Sequence, residues 1–220
     1  MLKQIEAINK PFFWYFWVSA FFSAGVIFHV FEITRTWMLL LTPFVLLIIG
    51  ILVILPLVES HFKPIYLWIL STYLVTFFLE WLGVKTGLVF GSYIYGSTLG
   101  LAFDGVPLII GYNWVLVICG AIQVAVKLTD NPWFQSLIAA LLALGFDIIL
   151  EPVAIRLDYW HWAGNVIPLQ NYIAWFTIAL VFAGVYFLFF HKKSPLKGPF
   201  SYLLLVQTLF FLGLNLVLTS

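Results

Sequence analysis

The stretch LALGFDIILEPVAIRLDYWHW, residues 142–162, is apolar enough for a lipid interior, yet it carries Asp147 and Glu151, with Arg156 and a Tyr-Trp-His-Trp run close behind. A spacing of four puts the two carboxylates on one face of a helix, with β-carbons roughly 6 Å apart. Two acids that close repel when both are ionised, and burial disfavours charge further, so the pair is expected to hold a proton near neutral pH. A carboxylic acid kept in an apolar pocket can deliver that proton to a substrate. Glu80, in YLVTFFLEWLGVKTG, lies at similar depth and is a third candidate acid or base. An ionisable group there is costly unless it faces the protein interior and finds a partner. The structural alternative is a set of ion pairs, Glu151 with Arg156 and Lys85 with Asp147 or Glu80, that only hold helices together.

The elements that must position these acids follow from composition. Of 220 residues, 64% are hydrophobic and 9% charged, far from the balance of a soluble domain. Seven apolar runs reach the length of a membrane-spanning helix: 12–31, 37–57, 65–82, 107–126, 135–155, 172–190 and 200–218. Pro11, Pro64, Pro132, Pro195 and Pro199 fall at their starts or between them, where a missing backbone donor does least harm. The expected fold is therefore all-α, a polytopic integral membrane helical bundle of about seven transmembrane helices forming one domain over residues 1–220. The N-terminus has lysines but no short apolar core followed by a small-residue cleavage site, so its first apolar run is expected to stay as a helix.

Orientation comes from Lys and Arg in alternate connections. Lys3, Lys10, Lys63, Lys127, Lys192, Lys193 and Lys197 fall on one side, and Arg35, Lys85 and Arg156 on the other. The positive-inside rule then expects a cell-membrane protein with its N-terminus in the cytoplasm and its C-terminus outside. Carboxylates run the other way. Glu6, Glu59 and Asp130 lie on the lysine-rich side, whereas Glu32, Glu80, Asp104, Asp147, Glu151 and Asp158 gather toward the opposite end.

Between the third and fourth runs, Gly83, Gly87, Gly91, Gly96, Gly100 and Gly105 recur every four or five residues around Tyr93 and Tyr95. Such spacing suits close helix packing, or a re-entrant or interfacial segment lining a cavity. The aromatic run with Trp160, Trp162, Tyr172 and Trp175 fits a membrane-interface belt; beside buried acids, aromatic faces can also stabilise a carbocation. His161 is either a proton donor or a hydrogen-bonded surface residue. Several chemistries are excluded. A net charge of +1 gives nucleic acid no electrostatic hold, and the lone Cys119, expected buried and inert, allows no disulfide, zinc or iron-sulfur site. His29, His61, His161 and His191 are scattered over both sides, unlike the histidine clusters of membrane di-iron enzymes. Neither a Gly-x-Ser-x-Gly elbow nor a His-Glu-x-x-His motif occurs. Acid chemistry on an apolar substrate, with neither metal nor cofactor, is what the residues leave.

The blocks FFLEWLGVKTGLVFGSYIYGSTLG with GVPLIIGYNW, then FDIILEPVAIRLDYWHW with IPLQNYIAWF, resemble the carotenoid 1,2-hydratase family, integral membrane carotenoid-biosynthesis proteins that include bisanhydrobacterioruberin hydratase. The resemblance spans about residues 75–177 and rests on Glu-x-x-Gly-x-x-x-Gly-x-x-x-Gly-x-Tyr and Asp-x-x-x-Glu-Pro in that order. It implies addition of water across the terminal C1=C2 bond of an acyclic carotenoid, through protonation at C-2 and capture of a tertiary cation at C-1. Catalytic positions would be Glu80, Asp147 and Glu151, and substrate-facing positions Tyr93, Tyr95, Trp114, Arg156, Trp160, Trp162 and Asn171. Partners implied are a long apolar carotenoid, the lipid bilayer, water as co-substrate and other carotenoid-pathway enzymes. Two alternatives stay open: an end-group cyclase, with an internal double bond capturing the same cation, and a proton-coupled transporter using the three acids as a relay. A retinal pump is disfavoured, because the last run has no lysine for a Schiff base.

Overall fold

The protein was analysed as a computed structural model that describes residues 11–59, 64–192 and 195–218. Lys3, Glu6, Lys10, His61, Lys63 and Lys193, used above in reading charge and histidine distribution, lie outside the described residues. Each of the seven expected runs is a helix: α1 Pro11–Val30, α2 Glu32–Ile54, α3 Pro64–Thr86, α4 Ile109–Ala125, α5 Pro132–Arg156, α6 Leu169–Phe189 and α7 Phe200–Leu218. Pro11, Pro64 and Pro132 are the first residues of their helices, where the backbone donor that proline lacks has no intrahelical partner. Asn131 caps α5, its side-chain oxygen accepting from the Trp133 and Phe134 amides at 2.9 and 3.4 Å. A short 3-10 turn, Leu55–Glu59, extends α2.

Five of these helices are long and apolar enough to cross a bilayer: α2 with its extension (Glu32–Leu57), α3, α5, α6 and α7. The apolar helices over Tyr15–Val30 and Ile109–Ala125 are shorter. For α4 there is a packing reason. Every residue from Trp114 to Ile122 is buried, and a helix apolar all round belongs inside a bundle. It packs against α2, α3, α5, α6 and α7, while α1 bridges α2 and α7 on the outside. Between α2 and α3 the wall is open, and a groove of about 940 Å³ runs there past Phe44, Leu47, Tyr73 and Tyr112.

The connections sort by end. Residues 55–59, 126–131, 190–192 and 195–199 lie at one end; residue 31 and residues 87–108 and 157–168 lie at the other. At the first end Gln123 pins the α6–α7 connection, donating to the Leu196 and Gly198 carbonyls at 3.0 and 2.9 Å and accepting from the Ser201 amide at 2.8 Å. At the second, the glycine-rich segment is no broken helix. It forms β1 (Tyr93–Tyr95), β2 (Ala102–Phe103) and β3 (Val106–Pro107), and β1 pairs antiparallel with β4 (Trp160–Trp162) from the α5–α6 connection, while β2 pairs with β3. The segment is thus a short-stranded cap on one end of the bundle. Gly91, at φ +102°, allows it to pass Pro168, and at Gly96 a β-carbon would stand 2.2 Å from the Asp158 carbonyl oxygen.

Helix contact depends on glycine at one central point. A β-carbon at Gly120 of α4 would lie 2.7 Å from Leu204 Cβ and 2.9 Å from the Phe200 carbonyl of α7. Gly120→Val should therefore force these helices apart and destabilise the bundle by about 1–3 kcal/mol, the usual cost of overpacking. Thermal unfolding in detergent measures it; an unchanged midpoint would show that this contact yields freely.

Candidate active site beneath a two-stranded cap

The pattern Tyr-Ile-Tyr facing Trp-His-Trp alternates with period two, so one face of the β1–β4 ribbon points at the bundle and the other away. The register pairs Tyr93 with Trp162, Ile94 with His161 and Tyr95 with Trp160. Ile94 and His161 are exposed, whereas Tyr93, Trp160 and Trp162 are buried. Beneath the inner face stand the three expected acids, Glu80 on α3 at 5% exposure, and Asp147 and Glu151 on α5 at 0% and 1%.

Each strand serves a different acid. The Tyr93 and Tyr95 hydroxyls donate to Glu80 Oε2 at 2.5 and 2.7 Å, and the Trp114 indole of α4 donates to Oε1 at 2.7 Å. Burial, together with the neighbouring Glu80 carboxylate, pushes both phenols well above their ordinary range, so they remain O–H donors. Trp160 and Trp162 donate to Glu151 Oε2 at 3.0 and 2.9 Å. Asn171 of α6 bridges the α5 pair, its amide donating to Glu151 Oε1 at 3.1 Å and to Asp147 Oδ2 at 2.8 Å. Asp147 Oδ1 is buried and has no partner among the described residues.

These donor sets differ in kind. An indole or a carboxamide N–H can only donate, so Glu151 is met by groups that suit an acceptor-only carboxylate. Glu80 likewise receives three donors. Asp147 shares one donor and leaves an oxygen bare, so of the three its ionised form receives the fewest compensating hydrogen bonds. Among the described residues, no cation enters the cluster. Lys85 pairs instead with Asp104 at 2.6 Å, where Trp81 also donates at 2.9 Å, and Arg156 is exposed at the end of α5. The ion-pair alternative for these acids is not what the geometry realises among the described residues; Arg156, expected to face substrate, does not meet the carboxylates from its exposed place at the helix end. His161 takes the second of its two expected places, that of a hydrogen-bonded surface residue. Its Nε2 lies 2.7 Å from Asp158 Oδ1 on the outer face.

Asp158 itself clasps the ribbon. At φ +57° it accepts from the Ser97 amide and hydroxyl at 2.9 and 2.8 Å, as well as from His161. Those hydrogen bonds, the Ser97 amide foremost, hold its carboxyl below the usual carboxylate range. Gly96 N bonds the Tyr159 carbonyl at 2.9 Å, and the Thr98 hydroxyl bonds the Leu157 carbonyl at 2.8 Å.

Trp114 and Trp160 face a second environment. With Trp175 they border an apolar cavity of about 280 Å³ between α1, α2, α4, α5, α6 and α7. Trp175 stacks on Trp114 with ring centroids 3.8 Å apart. It was not among the expected substrate-facing positions, although it sits one helical turn after Asn171, a spacing that shares a face. Leu99 borders both this cavity and the α2–α3 groove. Among the described residues, no group of three or more His, Cys, Asp or Glu side chains is placed to hold a metal ion.

A family model described as "Carotenoid biosynthesis protein" matches residues 36–219. No curated protein and no solved structure matches the chain.

The clasp is testable by pH. A carboxyl whose folded value is depressed stabilises the fold above its unfolded value, about 4 for Asp, and loses that contribution as pH falls. Tryptophan emission from the ribbon should therefore shift toward that of exposed indole on acidification, and Asp158→Ala should show that shift already at neutral pH. Emission independent of both would contradict the clasp.

Proposed function

The chain belongs to the carotenoid biosynthesis protein family, and on that premise we propose that it adds water across the terminal C1=C2 bond of an acyclic carotenoid end, giving a tertiary 1-hydroxy product. The observation carrying this reading is the set of three buried carboxylates, with no cation paired to them among the described residues, beside an apolar cavity bordered by two of the indoles that donate to Glu80 and Glu151.

Asp147, with its bare oxygen, is the acid that protonates C-2. The resulting cation at C-1 lies against the tryptophan lining, attracted by the ring faces and by the negative charge of Glu80 and Glu151 behind them, an arrangement fixed before the reaction begins. Water forms the bond to C-1 and gives its spare proton to the Asp147–Glu151 pair, which is thereby restored. One proton and one hydroxyl are added, and nothing is oxidised or reduced. The cavity has room for about nine water-sized groups at ~30 Å³ each, so it takes the end of the polyene; the rest of the chain is assigned to the α2–α3 groove, which shares Leu99 with the cavity as a lining residue. The proposed placement is in the cell membrane with the N-terminus cytoplasmic, the carotenoid arriving from the bilayer and from other enzymes of the pathway.

Cyclisation is the second reading, because the cavity lining is mostly apolar and a dry cation would be captured by an internal double bond. Expression in cells that accumulate an acyclic carotenoid separates the two by mass spectrometry: hydration adds the mass of water, and cyclisation leaves the mass unchanged. Asp147→Asn should lower product formation by about 10²-fold or more, the usual contribution of a positioned acid. Full turnover by that variant would remove Asp147 from the role.

A further inference from the structure

The cavity carries polar groups that the carboxylate chemistry does not use. Thr42 is satisfied, its hydroxyl donating to the Met38 carbonyl at 2.8 Å. Three other lining residues are not: His29 Nε2 of α1, Asn113 Oδ1 of α4 and Gln207 Oε1 of α7 are buried and without a hydrogen-bond partner among the described residues. His29 and Gln207 are only 4% and 5% exposed. A buried polar atom left unpaired is destabilising, and here three such atoms belong to residues of three helices that line one apolar cavity, which makes that lining the candidate place for a polar ligand.

Their chemistry narrows that ligand. His29 Nδ1 lies 2.7 Å from the Gly25 carbonyl oxygen, which can only accept, so Nδ1 carries the hydrogen and the neutral ring presents Nε2 as an acceptor. Asn113 Oδ1 and Gln207 Oε1 are acceptors too. What these three atoms lack is a donor partner, and the otherwise apolar lining suits a neutral one, an O–H. We infer that His29, Asn113 and Gln207 form the site of the reacting oxygen: they hold the co-substrate water and, once that water has bonded to C-1, the tertiary hydroxyl it becomes. This rests on the hydration proposed above and assigns it a place distinct from the carboxylates, with the proton arriving from the ribbon side and the oxygen from the cavity side.

Binding tests it without turnover. In the Asp147→Asn protein, tryptophan fluorescence quenching is titrated with lycopene and with 1-hydroxylycopene. The hydroxylated probe should bind about tenfold tighter, roughly the worth of a hydrogen bond made to groups otherwise unpaired. His29→Leu and Gln207→Leu should abolish that preference while keeping the affinity for lycopene, which also shows that the variants fold. Equal binding of the two probes to the parent, or variants that weaken both alike, would overturn the oxygen site. Failure of both probes to bind would overturn it together with the carotenoid reading. A hydroxyl preference in a wild-type protein that forms no hydrated product would uphold the hydroxyl site while contradicting hydration.

Discussion

Everything at this end of the molecule depends on three carboxylates buried in a bundle whose described residues supply no cation to neutralise them. In a lipid environment a carboxylate cannot be left bare, and a lysine or arginine beside it would lock the charge and remove the acid. The chain solves this with neutral donors. Two tyrosines, three tryptophans and one asparagine spread hydrogen bonds over Glu80 and Glu151 and give Asp147 only a share. A low-dielectric setting makes such a network strong when complete and costly when broken. The β1–β4 ribbon, its Asp158 clasp and glycine at position 96 exist, in physical terms, to keep those donors in place.

The same residues join the acids to the apolar cavity. Trp114 and Trp160 each donate from the indole nitrogen to a carboxylate and border the cavity as well, so negative charge and aromatic surface arrive at the substrate position through one side chain. A cation formed there meets both without any rearrangement of the protein. The open wall between α2 and α3 complements this, since a long apolar substrate needs only its end inside the bundle.

Hydropathy made the seven helices legible, because crossing a bilayer imposes a run length that sequence displays directly. The clustering of acids at one end was equally legible, since it needs only the alternation of spans. The ribbon was not. Strands of three residues are too short to carry a periodic signal against two tryptophans and two tyrosines that a membrane interface also explains, although Tyr-Ile-Tyr and Trp-His-Trp do alternate as a half-buried strand should. Their pairing is a contact between residues about 65 positions apart, which no local pattern encodes. Arg156 looked useful by proximity in sequence, but the end of α5 exposes it. His29, Asn113 and Gln207 drew no attention as a group because only the packing of α1, α4 and α7 brings them to one cavity.

The central physical claim is that a neutral carboxylic acid resides at Asp147 while Glu80 and Glu151 are anions held by N–H and O–H donors. Infrared difference spectroscopy of the protein in membranes at neutral pH reads this directly through the C=O stretch of a protonated carboxyl and its isotope shift in heavy water. The band should be present in the wild type, absent in Asp147→Asn, and retained in Glu80→Gln. Its absence from the wild type, or its loss with Glu80→Gln and persistence in Asp147→Asn, would contradict the assignment of the proton to Asp147.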